Sequence, residues 1–378
     1  MTSASVLVLA AVAPAAQAQQ TEVGAPGQAL TAGTISTTTG TINDNGANNG
    51  VVVITQSTPV VLVAGAAIDT SATANRTALD IGASQGATGP ITVNFAGASN
   101  IVASGSGIQV SGVSQDTTLN TGSGSTIAAT QTAVIGNTQA GFLTINNGAN
   151  TISGDRGISA TAFGPGTLGV VVNSTGGTIS GVNYGINAVA LGAAVTVGQG
   201  LGVTTVVTST GASGTGILAN TTGTGAISVR TGAGGTINGG ATGISALAAG
   251  GGAVTVNVGA AIGGTSAPTS RGVNATSFGG NVLVNTTAAV TGGQNGVYAS
   301  TTGAGTVTVG TGAAITSTSF DGVYLSSQTG NVDYTLNGAN TVRGSTGVSA
   351  NATSGNIAIR AADNDATLIA VPAGARLP

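Results

Sequence analysis

The sequence has no cysteine, histidine, lysine or tryptophan, and charged residues make up only 4% of its 378 positions. Without Cys there is no disulfide and no thiolate-bound metal. Without Cys and His, Ser-His-Asp and Cys-His nucleophile arrangements and the usual zinc sites are excluded. Without Lys there is no Walker A loop for a nucleotide phosphate. Seven arginines and ten acids give a formal net charge of −3, and no four basic residues cluster. Nucleic acid and anionic membrane are therefore not expected partners. Four tyrosines and five phenylalanines are too few for the aromatic girdles of a membrane barrel. No run of 18 apolar residues offers a transmembrane helix. No cofactor, no metal and no catalytic activity are expected.

What the chain does have is glycine, 66 residues of it, with 41% hydrophobic residues and a mean hydropathy of +0.40. Disordered chains are instead rich in charge and poor in apolar side chains. Collagen is excluded because the glycines keep no three-residue period and prolines number only eight. At the N-terminus, Val6 to Ala16 form an apolar run of signal-peptide length, followed by Ala16-Gln17-Ala18. That is an A-x-A pattern, with cleavage expected after Ala18 and the mature chain starting at Gln19. Met1 to Ser5 carry no positive charge, so the true start is expected upstream of Met1. Absence of Cys is compatible with export to an oxidising compartment.

From Val51 onward a pattern repeats. Gly-(Ile/Val)-x-(Ala/Val/Leu) occurs as Gly107-Ile108-Gln109-Val110, Gly157-Ile158-Ser159-Ala160, Gly216-Ile217-Leu218-Ala219, Gly243-Ile244-Ser245-Ala246 and Gly322-Val323-Tyr324-Leu325, among others. Successive copies lie 24 to 31 residues apart, about 27 on average. A Val-x-Val segment follows each copy, as in Val254-Thr255-Val256. Then comes a (Thr/Ala)-(Ile/Val)-x-Gly segment, as in Thr236-Ile237-Asn238-Gly239. Strand side chains alternate faces, so the apolar pair of each segment points inward and the variable residue outward. Three short strands per period, always in the same order, describe one coil of a three-sided, right-handed parallel β-helix. Glycine is expected at its corners, where the chain needs positive φ. A narrow bore filled by Ile, Val and Ala is expected to leave little room for rings. Coils stack about 4.8 Å apart, which makes ten of them a rod of roughly 45–50 Å. The expected organisation is a signal peptide over 1–18, a polar cap or linker over 19–50, the β-helix over 51–360, and a C-terminal tail over 361–378.

With a signal, glycine-rich coils and recurring GI-x-A and TI-x-G strands, the chain resembles the passenger region of bacterial autotransporters. At this level it is also similar to filamentous-haemagglutinin-like exoproteins. The resemblance covers nearly the whole mature chain and rests on texture and period. It implies a secreted or cell-surface protein on the extracellular face of a Gram-negative outer membrane. It further implies contact with host or surface glycans or proteins by adhesion, and winding up coil by coil outside the cell. Family members usually end in a membrane β-barrel, and no region here has ten-residue alternating strands with aromatic girdles. The chain is therefore expected to be a passenger region, reaching the outer membrane only through a barrel outside this sequence, and to be monomeric.

Two outward residues stand out. Tyr298 and Tyr324 fall at the same variable position of consecutive coils, a candidate exposed contact patch for sugar or protein. The acids Asp321 and Asp333 lie close enough in sequence to meet across one coil, as a carbohydrate-active β-helix enzyme would require. Their bland reading is isolated outward charge that aids solubility. Asp363-Asn364-Asp365 offers two oxygen ligands for calcium without the rest of an EF-hand loop. Gly164-Pro165-Gly166-Thr167-Leu168-Gly169 matches GxGxxG but leads into Val170-Val171-Val172 rather than a helix. The pattern therefore favours a structural or adhesive solenoid. The alternatives are a polysaccharide lyase or hydrolase, and a flexible Gly/Thr-rich spacer.

Overall fold

The computed structural model describes the strands Gly33–Ser36, Ile42–Asn43, Val51–Thr55 and Val60–Ala64, then residues 67–361 apart from 73, 84–89, 96, 114–115, 265 and 339. Side chains are described only from residue 67 onward. The proposed cleavage site at Ala18 and the segment 362–378 lie outside the described residues. The fold is an all-β parallel solenoid, with no helix among the described residues. Two units can be distinguished, 1–179 and 180–378.

In the second unit three parallel ladders recur in the order anticipated from the repeat. The first runs through Thr215–Thr221, Thr242–Ala248, Arg271–Ser277, Asn295–Thr301, Asp321–Ser327 and Thr346–Ala352. The second runs from Ala194–Val197 through Ile227–Thr231, Val254–Val258, Val282–Thr286, Val307–Thr311 and Val332–Leu336 to Ile357–Ala361. The third links Val206–Ser209, Thr236–Asn238, Ala261–Ile262, Val290–Gly292, Ile315–Ser317 and Val342–Arg343. A strand of two to seven residues is too short to persist alone. Here the strands inside each ladder find backbone partners in the coils before and after them, so their backbone groups are satisfied.

Alternation along each strand builds the core. Ile217, Ile244, Val273, Val297 and Val323 stack in register, as do Ile227, Val254, Val282, Val307 and Val332. All ten are at most 1% exposed. Fully burying one such side chain is worth about 1.5–3 kcal/mol, which is what offsets the entropy of ordering so glycine-rich a chain. In this unit one column departs from the expected narrow aliphatic bore. Val229, Val256, Val284 and Val309 are followed at the same position by Tyr334, which is fully buried. Its Oη lies 2.7 Å from Thr311 Oγ1. The ring is admitted because an inward threonine at the end of the preceding strand gives the phenol a partner.

The first unit repeats the scheme. Ile68, Ile101, Ile127 and Ile152 form one buried column, and Leu79, Ile108, Val134 and Ile158 another. Among the described residues its ladders include Gly33–Ser36 and Ile42–Asn43, inside the stretch read from sequence as a polar cap or linker. The coils are not uniformly cut into three. Thr132–Asn147 and Asn150–Ser174 run as continuous strands, with register shifts between Thr138 and Ala140 and between Gly141 and Phe142.

Polar side chains are stacked as deliberately as apolar ones. Outward asparagines 94, 120, 146 and 173 form a ladder in which each amide Nδ2 donates to Oδ1 of the preceding coil, at 2.7, 2.8 and 2.8 Å. Beside it lies a buried network. Thr121 Oγ1 donates to Asn147 Oδ1, Asn147 Nδ2 donates to Ser174 Oγ, and Asn150 Nδ2 reaches both Thr121 Oγ1 and Asn147 Oδ1, all within 2.9 Å. Asn150 Oδ1 accepts the Ser125 backbone N–H at 2.8 Å. These side chains are at most 3% exposed, and burial without such partners would be costly.

Candidate functional site

The first ladder of the second unit presents its variable positions outward, and there the two tyrosines meet. Tyr298 and Tyr324 are register partners, with ring centroids 4.9 Å apart and planes within 10°. Parallel ladders place equivalent side chains about 4.8 Å apart, so stacking follows from the repeat itself. Both rings are half-buried. A third layer is added by Arg271, whose guanidinium carbon lies 3.8 Å from the Tyr298 ring centroid. Arg271 Nη1 donates to Asn274 Oδ1 at 2.9 Å, and Asn274 precedes Tyr298 in the register. Tyr298 is thus held between a cation and a ring. Each contact is worth about 0.5–1.5 kcal/mol. Beyond Tyr324 the register partner is Ser349, so no third ring continues the stack.

Hydroxyls and amides flank the stack. Thr276 Oγ1 lies 3.2 Å from Ser300 Oγ, and Asn274 Nδ2 donates to Ser245 Oγ at 3.4 Å. Asp321 begins the strand that carries Tyr324 and accepts from Asn295 Nδ2 at 3.4 Å. Burial pushes the Asp321 carboxyl above its ordinary value, against a hydrogen bond with Thr346 that lowers it. The sign of the linkage follows. A carboxyl raised on folding adds stability that is complete below its unfolded value and is lost as pH rises through its folded value. Asp321→Asn keeps the hydrogen-bonding shape and removes the charge. The variant is expected to melt at or above the wild-type temperature at neutral pH. As pH falls through the raised carboxyl value, wild type should gain on it in melting scans.

Asp333 stands on the second ladder, not the first, and pairs there with Arg360 at 3.3 Å across an exposed surface. The structure thus gives Asp321 and Asp333 separate ladders and separate partners. An exposed ion pair of this kind adds about 0–1 kcal/mol. Among the described residues, no group of three or more His, Cys, Asp or Glu is placed to hold a metal ion. The GxGxxG match lies within the strand Asn150–Ser174, with no phosphate-binding helix after it. Asp363-Asn364-Asp365 falls outside the described residues.

Arg271 was not singled out by the sequence pattern, although Asn274, three residues on, occupies the tyrosine position one coil earlier. An offset of three would put the two side chains on opposite faces of a regular strand, but Gly272 and Val273 are both buried, so the alternation slips there and Arg271 emerges on the face of Asn274. The cationic end of the stack becomes visible only once the register is known. No protein-family model, no curated protein and no solved structure matches the chain.

Proposed function

We propose that the chain is an exported, cell-surface structural and adhesive β-solenoid of the autotransporter-passenger type, without catalytic activity. It acts as a monomer and contacts host or surface glycans or proteins through the face that carries Tyr298 and Tyr324. Export rests on the apolar leader and the A-x-A at Ala16-Gln17-Ala18. The observation that carries the adhesive part is the Arg271–Tyr298–Tyr324 stack, a rigid half-exposed platform on a face that also presents hydroxyls, amides, Leu218 and Leu247. Such platforms give contact area at little conformational cost, because the rings are already fixed.

The purified chain would be passed over immobilised glycans and cell-surface extracts, alongside a Tyr298→Ser/Tyr324→Ser variant with an unchanged circular dichroism spectrum. The expected result is binding by wild type that weakens tenfold or more in the variant. Binding of equal strength by both proteins would remove the platform from the contact. Turnover of an acidic polysaccharide that is abolished by Asp321→Ala or Asp333→Ala would replace adhesion with the carbohydrate-active reading.

A further inference from the structure

A second feature of the same unit is independent of the tyrosine stack. Arg230, Asn257 and Asn285 occupy one outward register position on three successive strands of the second ladder. Asn285 Nδ2 donates to Asn257 Oδ1 at 3.2 Å. This is the direction followed in the asparagine ladder of the first unit, where each amide donates to the carbonyl oxygen of the coil before. Continued by one coil, the rule would have Asn257 Nδ2 donate to an oxygen at position 230. Arginine stands there, and a guanidinium has donors only. Asn257 Nδ2 and the Arg230 guanidinium are thus neighbouring donors, and neither has an acceptor among the described side chains and backbone.

The two donors open into a cleft of about 510 Å³, within the range of small-molecule sites. One wall is an excursion in the longest coil, where Ile186 and Ile217 are register partners. The excursion is possible because Gly198, Gly200 and Gly202 all take positive φ (80°, 72° and 87°). Leu201 at its tip is 80% exposed. The loop lies along the arginine stem, since a Cβ at Gly202 would come within 3.1 Å of Arg230 Cγ. Asn285 and Thr287 also line it, and among the described residues no acidic side chain does.

We propose that this cleft binds a carboxylate-bearing saccharide. The carboxylate stands where the ladder lacks its acceptor, between the Arg230 guanidinium and Asn257 Nδ2. Carboxylate oxygens accept forked guanidinium donors in a bidentate pair, the strongest neutralisation the site can receive. The amide of Asn285 and the hydroxyl of Thr287 then meet ligand hydroxyls, while the exposed Leu201 side chain covers an apolar ring face.

The test is calorimetric titration of the full chain with three acidic trisaccharides, built on galacturonate, glucuronate and sialate. A neutral trisaccharide and an acidic tripeptide serve as controls. At least one acidic trisaccharide should bind, with the neutral one at least tenfold weaker. Arg230→Asn supplies the oxygen the ladder lacks, so it should fold with an unchanged melting temperature and lose binding tenfold or more. Arg230→Lys keeps the charge without the fork and should fall between the two. Failure of all three acidic sugars to bind would overturn the proposal. So would equal binding of the neutral sugar, full binding by Arg230→Asn, or binding of the tripeptide alone. Tyr298→Ser/Tyr324→Ser should leave this binding intact, which separates the cleft from the tyrosine face.

Discussion

Tyr334→Ala should cost the second unit about 3–5 kcal/mol, the usual price of removing a buried ring from a packed core. Tyr334 is fully buried between Val309 and Ile359 in its column, so truncation to alanine would leave a ring-sized cavity between two coils. Tyr334→Phe should cost far less, about 1 kcal/mol, because it keeps the ring and only strips Thr311 Oγ1 of its partner at 2.7 Å. Thr311→Val together with Tyr334→Phe removes both polar groups and should recover part of that loss. Urea titrations followed by circular dichroism would rank the variants. Since each coil touches only its neighbours, unfolding of the alanine variant should begin in the coils from Val307 onward. Burial raises the phenol above its ordinary value, with the Thr311 hydrogen bond opposing. The stability this gives is full at neutral pH and is lost as pH rises through the raised value. Tyr334→Phe should abolish that alkaline loss. If Tyr334→Ala melted like wild type, the ring would not be in the core.

The strands were legible because their signal is local. Three alternating apolar segments recur in fixed order, and a one-residue slip would turn every inward side chain outward. The ladders Ile217–Ile244–Val273 and Val229–Val256–Val284 follow directly from that constraint. The stacking of Tyr298 on Tyr324 was equally accessible, since it needs only the register. Features that depend on two coils at once were harder to see. The inward turn of Tyr334 depends on Thr311 in the coil before it, and the cationic layer on Tyr298 depends on Arg271 reaching past Asn274. The asparagine ladder had a signal, since its members recur at 26 or 27 residues, but the amides carry no hydrophobic label to draw attention to them. The unpartnered donor at Asn257 is a break in that ladder, so it could be recognised only after the ladder itself.

Gly272→Ala is expected to destabilise the second unit by about 3 kcal/mol, the upper part of the range for overpacking a tight interior. The glycine that opens each Gly-(Ile/Val)-x-Ala strand, unlike those at the corners, is not there for positive φ. Gly216, Gly243, Gly272, Gly296 and Gly322 all lack that conformation, whereas Gly234, Gly251 and Gly263 have it. The cause is close approach. A Cβ on Gly272 would lie 2.5 Å from Val290 Cγ1 and 2.6 Å from the Gly296 carbonyl oxygen. On Gly243 it would meet Ile262 Cγ2 at 2.4 Å and the Gly272 oxygen at 2.6 Å, and on Gly296 it would meet Ile315 Cγ2 at 2.4 Å and the Gly322 oxygen at 2.7 Å. In the second unit, the first strands carrying Gly216, Gly243, Gly272, Gly296 and Gly322 therefore press their glycine against the next coil's backbone and against the branched residue of the third strand. That contact links the Gly-(Ile/Val) and (Ile/Val)-x-Gly motifs physically, and it explains why they recur together. Two controls separate the causes. Gly234→Ala meets nothing within 4 Å but sits at φ +91°, so it should cost about 1–2 kcal/mol of backbone strain alone. Gly192→Ala meets nothing and has no such φ, so it should stay within about 0.5 kcal/mol of wild type. Melting the three variants side by side decides the matter. Steric closure predicts the order Gly272, Gly234, Gly192 from most to least damaging, whereas a purely conformational role would put Gly234 first.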